Sequence, residues 1–218
     1  MAKLVSPSFE ILTETDGIKI LKHLEKIART CYRSEDKISA DGASAKKLIA
    51  SLIKSGHEAM IEHYNISVRF VSDMGFYKDL TRHRMASYAI ESTRYCNYSK
   101  GKFGNELTFS KPQHITEGTP EYDIWYKCML DIEKAYMKMA NLKDSAGELY
   151  IKPDQLRMLL PHSINAEINI TANLREWRHI FRLRTSRAAH PSVSTLMREL
   201  LIEFKKQIPI VFDDIIPD

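Results

Sequence analysis

The sequence contains few cysteines and no long apolar run. Its three cysteines, Cys31, Cys96 and Cys128, are widely spaced, and no two form a CxxC pair. Such a set provides neither a disulfide framework nor a structural zinc site, so we expect reduced thiols with packing roles. No segment approaches the roughly 18 apolar residues that span a bilayer. Because the N-terminus also lacks the apolar stretch of a signal peptide, we expect a cytoplasmic protein without a membrane partner.

The overall composition is that of one globular domain. Hydrophobic residues make up 44% of the 218 residues and charged residues 28%, an ordinary balance for a chain long enough to bury its own core. The sequence contains no internal repeat, no low-complexity tract and no linker rich in Pro, Gly or Ser. We therefore predict a single domain over residues 1–218.

Helical periodicity and capping residues predict most of the helices. Asp16 is expected to cap the first helix, Ser44 the second and Asn173 a later one, and Gly56 is expected to end the second. Pro153 and Pro191 each stand at the first turn of a predicted helix. The predicted helices cover residues 18–29, 44–55, 75–84, 121–142, 153–160, 174–183 and 191–207.

Alternation of apolar and polar residues predicts the strands. It is clearest over residues 163–172 and 64–70, and we predict a first strand over residues 4–12. The polar and aromatic stretch 85–104 is predicted to be a structured loop. Helices and strands are mixed without regular βαβ alternation, so we predict an α+β fold with a central, mostly antiparallel sheet flanked by helices.

The arginines are concentrated in two clusters although the net charge is only +4. The first holds Arg82, Arg84 and Arg94, and the second holds Arg175, Arg178, Arg182, Arg184 and Arg187. Arginine suits bidentate recognition of phosphate, whereas a solvated helix face is the alternative for either cluster alone. The segment Ser92-Thr93-Arg94 combines hydroxyls, backbone N–H groups and a guanidinium in one turn. This combination predicts a phosphate site, and the pair Arg82 and Arg84 predicts a site for a second anionic group.

A resemblance becomes specific at these residues. The triplet Arg82-His83-Arg84, followed after seven residues by Ser92 and then by Arg94-Tyr95, resembles the signature of the flavin-dependent thymidylate synthases, the thymidylate synthase complementing protein family. Three further segments resemble the family, and the similarity runs from about Leu48 to Ile215. These segments are Gly56-His57-Glu58, Arg157-Met158-Leu159-Leu160-Pro161, and Asn173-Leu174-Arg175 with His179 and Leu183-Arg184 following.

The sequence also departs from the family pattern. Ala89-Ile90-Glu91 stands where much of the family has Asn-Glu shortly before the signature serine. Asp79 stands where glutamine is common, and His179 where asparagine is frequent. Ala188 replaces a family histidine, although His190 lies two residues further on.

The resemblance implies an FAD-dependent thymidylate synthase that methylates dUMP to dTMP. Methylenetetrahydrofolate is the implied one-carbon donor and NADPH the implied reductant, and the implied assembly is a homotetramer. Arg184 is the implied catalytic residue, since its fixed charge faces the uracil and stabilises negative charge there. The implied substrate-binding residues are Asp79, Arg82, Glu91, Ser92, Thr93, Arg94, Arg157 and Arg184. The implied flavin-binding residues are His57, Arg82, His83, Arg84, Asn173, Arg175 and His179.

The sequence also bears on other ligands, substrates and functions. No metal site is expected, because His57 and His63 are six residues apart rather than the four of a zinc-binding helix. Clustered arginines with tyrosines would also suit single-stranded nucleic acid, but the low net charge disfavours that partner. A same-fold enzyme acting on another pyrimidine nucleotide, such as dCMP, or releasing a hydroxymethyl product, remains open. An inactive homologue is disfavoured because Ser92, Arg94, Arg157 and Arg184 are all present.

Overall fold

The computed structural model describes residues 2–152 and 154–217, and the chain divides into two compact units. The first unit comprises Met1–Ser8, Phe70–Asp79 and Ala89–Ile168, and the second comprises Phe9–Arg69, Leu80–Tyr88 and Asn169–Asp218. No helix within the described residues is both long and apolar enough to cross a membrane. The single domain over 1–218 stays a prediction.

Helices and strands are mixed along the chain, which confirms the predicted α+β class. The helices are α1 (Gly17–Thr30), α2 (Ala43–Lys54), α3 (Met74–Leu80), α4 (Pro120–Ala140), α5 (Leu174–Arg184) and α6 (Pro191–Gln207). The strands are β1 (Lys3–Val5), β2 (Ser8–Ile11), β3 (Asn65–Asp73), β4 (Ala86–Ile90), β5 (Thr108–Ser110) and β6 (Asn165–Asn173). Short 3-10 turns lie at Glu35–Lys37, Glu58–His63, Gly101–Phe103 and Leu156–Leu159.

Four of the predicted elements were wrong in detail. The single strand 4–12 is two strands, β1 and β2, interrupted at Pro7, which has no N–H for a strand ladder. The predicted loop 85–104 begins with strand β4. The predicted helix 75–84 ends at Leu80, so Arg82 lies in the turn that follows. The N-cap of α2 is Gly42 at φ +82°, not Ser44.

The predicted helix 153–160 is also different. Pro153 lies outside the described residues, and the described part of this segment forms only the 3-10 turn Leu156–Leu159. Two predicted caps are confirmed. The Asp16 side chain accepts a hydrogen bond from the Lys19 N–H at the start of α1, and Asn173 accepts one from the Glu176 N–H at the start of α5.

The named strands form two sheets. Strands β2, β3, β6 and β4 form a four-stranded sheet in that order, and β1 pairs with β5 in parallel. Ser67 on β3 contacts Thr171 on β6 through their hydroxyls at 2.7 Å. Further along, the Tyr77 hydroxyl donates to the carbonyls of both Ser72 and Ala166. Residue numbers rise along β3 as they fall along β6, so these central strands are antiparallel.

Each unit has its own apolar core. In the first unit, Leu107, Phe109, Met129, Tyr136 and Leu156 are buried together. In the second unit, the inner face of α5 is buried, and Trp177 and Phe181 contact the Phe204 ring of α6. The Trp177 indole N–H donates to the Ile66 carbonyl at 3.0 Å, which satisfies its polar atom inside the core. The predicted apolar stripe Leu174, Trp177 and Phe181 is therefore confirmed.

Candidate functional site

The first unit contains a groove of about 710 Å³ that we call the first-unit groove. Its cationic and hydroxyl groups come from distant segments: Lys78 from α3, Thr93 from the turn after β4, and Arg157 from the 3-10 turn Leu156–Leu159. Asp154 and His162 also line it, and Lys78 Nζ lies 2.9 Å from His162 Nε2. Cationic groups that converge on a wide, solvent-filled groove are suited to an anionic ligand.

The segment Ser92-Thr93-Arg94 forms the predicted turn. The Ser92 carbonyl accepts from the N–H groups of Tyr95 at 3.1 Å and Cys96 at 2.9 Å. The Ser92 hydroxyl accepts from the Arg94 N–H at 3.3 Å. The Arg94 guanidinium is exposed and lies 5.4 Å from the centre of the Tyr95 ring. The turn thus holds a hydroxyl, an exposed guanidinium and several backbone N–H groups close together.

Glu91 occupies a defined place beside this turn. Its N–H donates to the Glu167 carbonyl at 2.8 Å, and its carboxylate accepts from the Tyr98 hydroxyl at 2.9 Å. Burial, together with the charge of Glu91, raises the pKa of Tyr98, so the phenol remains a donor. The carboxylate that departs from the family position is therefore held by a buried tyrosine of its own unit.

The second unit contains a groove of about 450 Å³ that we call the second-unit groove. Its lining residues come mainly from α5 and from the 3-10 turn Glu58–His63. They are Glu58, Glu62, Met85, Asn173, Arg175, Glu176, His179 and Arg182. Because Arg175, His179 and Arg182 stand on the face of α5 opposite its buried stripe, the helical period itself directs them into the groove.

Carboxylates partly balance the cations of this groove. Arg175 donates to Glu62 at 2.5 Å, and Arg182 donates to Glu58 at 3.1 Å. The Glu62 pair is largely exposed, and exposed ion pairs are weak. An entering anion can therefore replace Glu62 at Arg175 at a small cost.

His83 lies buried beside the second-unit groove at the centre of a polar cluster. Arg184 Nε donates to His83 Nε2 at 3.0 Å, and His83 Nδ1 lies 3.7 Å from the Glu176 carboxylate. The His179 ring meets the His83 ring edge-on at 5.5 Å. The Tyr88 hydroxyl contacts the carbonyls of Leu80 and His83 at 2.7 and 2.6 Å, so the turn that carries His83 is fixed.

The pKa shifts in this cluster follow from burial. Burial raises the pKa of Tyr88 to about 12, and the charges of Glu176 and Arg184 act on it in opposite directions. Burial also raises the pKa of the Glu176 carboxyl, which the nearby His179 opposes. Both shifts follow from the low solvent access around His83, which is itself buried.

The same cluster has ligand atoms close enough to hold a metal ion. Atoms of His83, Glu176 and His179 lie within 4.8 Å of one another, although no metal was expected from the sequence. A neutral imidazole has one acceptor nitrogen, and in His83 that nitrogen already accepts from Arg184. A metal ligated by His83 would have to displace Arg184, so the hydrogen bonding disfavours a metal here.

The structure brings many of the predicted site residues together within each unit. Thr93 and Arg157 line the first-unit groove; Asn173, Arg175 and His179 line the second-unit groove, with His83 and Arg184 paired nearby. The remaining predicted residues, which do not line either groove, are His57, Asp79, Arg82, Arg84, Glu91, Ser92 and Arg94. Of these, His57, Arg82, Arg84 and Arg94 are exposed.

Sequence reasoning missed three carboxylates of the second-unit groove, Glu58, Glu62 and Glu176. Glu176 lies three residues before His179 and three after the Asn173 cap, so its helical spacing was a signal that placed it on the His179 face. Glu58 belongs to the Gly56-His57-Glu58 segment that resembles the family, but neither Glu58 nor Glu62 was assigned to this groove, because their distance in sequence from α5 hides their proximity to it.

Comparison with known proteins identifies relatives over most of the chain. Residues 16–210 match the family described as thymidylate synthase complementing protein. The flavin-dependent thymidylate synthase of Pyrococcus abyssi is 30% identical over 176 residues, which cover 80% of this chain and 67% of that protein.

Solved structures share the fold. A UMP/dUMP methylase, PolB, from Streptomyces cacaoi, bound with 5-Br dUMP, has a TM-score of 0.74 at 22% identity, with coverage of 97% of this chain and 95% of that one. Thymidylate synthase X of Helicobacter pylori, with FAD and dUMP, has a TM-score of 0.72 at 19% identity, with coverage of 95% and 98%.

The fold has two grooves that present arginine, histidine and amide groups, which are the groups suited to anionic ligands. The match of residues 16–210 to a family model, and the relative that is 30% identical, identify the family. The chain belongs to the thymidylate synthase complementing protein family.

Proposed function

We propose that this protein is a flavin-dependent thymidylate synthase that converts dUMP to dTMP. The observation that carries the proposal is that residues which resemble the family line the two grooves. Thr93 and Arg157 line one groove, and Asn173, Arg175 and His179 line another. These are the residue types that three anionic reactants require, because dUMP, FAD and NADPH all carry phosphate.

The first-unit groove is proposed to bind the phosphate and sugar of dUMP. Thr93 and Arg157 line this groove, and Ser92 and Arg94 stand in the same turn as Thr93, so two hydroxyls and two guanidinium groups are the proposed phosphate and sugar contacts. Asp79, Glu91 and Arg82 are proposed substrate contacts by resemblance to the family. Two guanidinium groups on one dianionic phosphate give charge-assisted hydrogen bonds, which are stronger than neutral ones.

The second-unit groove is proposed to hold FAD. Its volume of about 450 Å³ and its donors on Asn173, Arg175 and His179 fit a planar ring with an anionic tail. His57, Arg82, His83 and Arg84 are the further proposed flavin contacts. When bound, the reduced flavin supplies the hydride, and the chain itself contributes position and electrostatic field.

Arg184 is the proposed catalytic residue. A guanidinium stays protonated throughout the physiological range, so it offers fixed positive charge to the uracil as negative charge develops there. The hydrogen bond from Arg184 Nε to His83 holds one edge of this guanidinium.

The remaining parts of the reaction are proposed by resemblance to the family. Methylenetetrahydrofolate is the proposed one-carbon donor and NADPH the proposed reductant. The proposed assembly is a homotetramer located in the cytoplasm.

The direct test is product formation by the purified protein. With dUMP, methylenetetrahydrofolate, FAD and NADPH, the protein is expected to form dTMP, identified by mass spectrometry. Arg184→Ala is expected to lower the rate by about 100-fold, the size of effect seen when one electrostatic group of an active site is removed. Arg187→Ala, which removes an exposed arginine just beyond α5, is the matched control and should retain activity.

The same assay examines the alternative substrates. UMP and dCMP are supplied in place of dUMP, and the product is inspected for a methyl or a hydroxymethyl group. These substrates are included because Glu91, in the segment that departs from the family pattern, stands next to Ser92. Methylation of UMP or dCMP without dTMP formation would replace the proposed substrate and leave the class of reaction unchanged.

A further inference from the structure

In the second unit, the His83 ring lies between the Glu176 carboxylate and the Arg184 guanidinium. Glu176 stands on the first turn of α5, His83 in the turn after α3, and Arg184 at the end of α5. His83 and Glu176 are 4% and 9% exposed, so water is nearly excluded from these two side chains. Glu176 is one of the residues that the resemblance to the family did not assign.

The hydrogen bond between Arg184 and His83 fixes the tautomer of the imidazole. Arg184 Nε can only donate, so His83 Nε2, at 3.0 Å, must accept. In a neutral imidazole the proton then resides on Nδ1. Nδ1 is the nitrogen that faces the Glu176 carboxylate, at 3.7 Å.

The carboxylate stabilises this proton position. A carboxylate within 4 Å of an N–H attracts it, and the attraction is stronger where water is nearly excluded. With the opposite tautomer, the Nδ1 lone pair would face Glu176 and the Nε2 proton would face Arg184. Both contacts would then be repulsive, so Glu176 and Arg184 favour the same tautomer of His83.

We propose that Glu176 is a positioning residue that acts through His83: it keeps the imidazole proton on Nδ1, so that Nε2 can hold the Arg184 guanidinium in place. This inference rests on the proposed function insofar as Arg184 is taken to face the uracil. The arrangement itself concerns only residues of the second unit.

A simpler role for Glu176 is as a helix cap. It is the third residue after the Asn173 N-cap, the position from which a glutamate can reach back to the cap N–H. A capping role would affect the free energy of unfolding and would leave the His83 tautomer unchanged. The two roles are therefore separated by a readout on the imidazole itself.

The first measurement is the tautomer of His83 in the full chain without ligands. Protein labelled with ¹⁵N-histidine is examined by long-range ¹H–¹⁵N NMR, and His83 is assigned by the signal lost in His83→Asn. The expected result is a protonated Nδ1 and an unprotonated Nε2. A protonated Nε2 in the wild-type protein would overturn the proposal, whatever reaction the protein catalyses.

The second measurement compares Glu176→Gln with Glu199→Gln, which removes an exposed carboxylate from α6. Glu176→Gln is expected to mix the His83 tautomers and to lower the single-turnover rate of dTMP formation about 10- to 100-fold, as for a misoriented catalytic group. Its dissociation constant for dUMP is expected to stay within about twofold of the wild-type value, because the phosphate contacts are untouched.

Two outcomes would oppose this account. If Glu176→Gln and Glu199→Gln have the same tautomer and the same rate, Glu176 has no positioning role. If wild-type protein forms no dTMP at all, the proposed function fails, and the NMR measurement alone decides the positioning of His83. The two failures are thus distinguishable.

Discussion

Glu62 is the residue that competes most directly with a ligand in the second-unit groove. It accepts from Arg175 at 2.5 Å, and the two side chains are 42% and 52% exposed. Arg175 is a proposed flavin contact, so an anionic cofactor and Glu62 require the same guanidinium. Because an exposed pair is worth only about 0.2–1 kcal/mol, the carboxylate moderates binding without preventing it.

Glu62→Gln is therefore expected to tighten FAD binding by up to about fivefold, the factor that corresponds to an exposed ion pair. Titration of the protein with FAD, followed by the quenching of flavin fluorescence, measures the dissociation constant. Glu35→Gln, an exposed carboxylate outside the groove, should leave this constant unchanged. Weaker FAD binding by Glu62→Gln would show instead that the pair with Glu62 orients Arg175 for the cofactor.

At the scale of elements, the helical period of α5 places its core residues on one face and its groove-lining residues on another. Leu174, Trp177 and Phe181 are fully buried, whereas Arg175, His179 and Arg182 face the second-unit groove. Arg178 is the exception, because it is charged and yet fully buried. It donates to Glu58 at 3.0 and 3.2 Å, to Asp214 at 2.6 and 2.7 Å, and to the Val211 carbonyl.

Arg178 therefore ties α5 to two other segments of the second unit. The hydrogen bond from Arg178 lowers the pKa of Asp214 although burial opposes it. Burial alone would raise the pKa of Glu58, but the hydrogen bonds and charges of Arg178 and Arg182 outweigh the effect of burial. The pKa of Glu58 is therefore lowered. Both carboxylates thus stabilise the fold above their unfolded pKa values, and this stabilisation is lost as the pH falls through the folded ones.

Arg178→Met is expected to destabilise the protein by about 3 kcal/mol near pH 7, because it leaves two carboxylates without their buried partner. The difference from wild type is expected to shrink at acidic pH, below the lowered pKa values of Glu58 and Asp214, where both carboxylates become protonated. Urea denaturation at both pH values measures it, with the exposed Arg187→Met as the control. An equal difference at both pH values would mean that lost packing, not ion pairing, causes the effect.

Helices and strands were predicted correctly where the residues of the segment itself determine its structure. The helix predicted over 191–207 is α6 with the same ends, because a proline at its start, an apolar stripe and a proline after it are all local. Strand β4 was missed because its side chains are largely exposed and do not alternate in polarity. Its pairing beside β6 makes it a strand, and that partner is distant in sequence.

At the scale of the whole molecule, an exposed apolar face points to association. Ile124 is 73% exposed and lies with Cys128, Ile132, Ala135 and Leu159 around a groove of about 550 Å³ on α4. Residues at this helical spacing form one continuous stripe. Apolar surface of this kind is commonly covered by another protein chain, and a second copy of this chain is the partner that the proposed homotetramer provides.

The mass in solution is expected to be about four times the 25.2 kDa of the chain. Ile124→Glu is expected to lower the mass, because a charge placed in an apolar interface is left without a partner. Light scattering coupled to size-exclusion chromatography measures both proteins, and Lys134→Glu, at an exposed position of α4 outside this groove, is the control. A wild-type monomer with full activity would contradict the tetramer.

The sequence by itself determined the class of fold, the major helices, the caps Asp16 and Asn173, and the family, since periodicity, caps and signature spacing are local properties. Only the tertiary structure decided which charges meet. It placed Thr93 and Arg157 in one groove and buried Arg178 between Glu58 and Asp214. It also placed the Glu176 carboxylate near Nδ1 of His83. The physical reason is that these contacts join segments far apart in the chain, where a charged residue gives the same local signal whether it faces water or a partner.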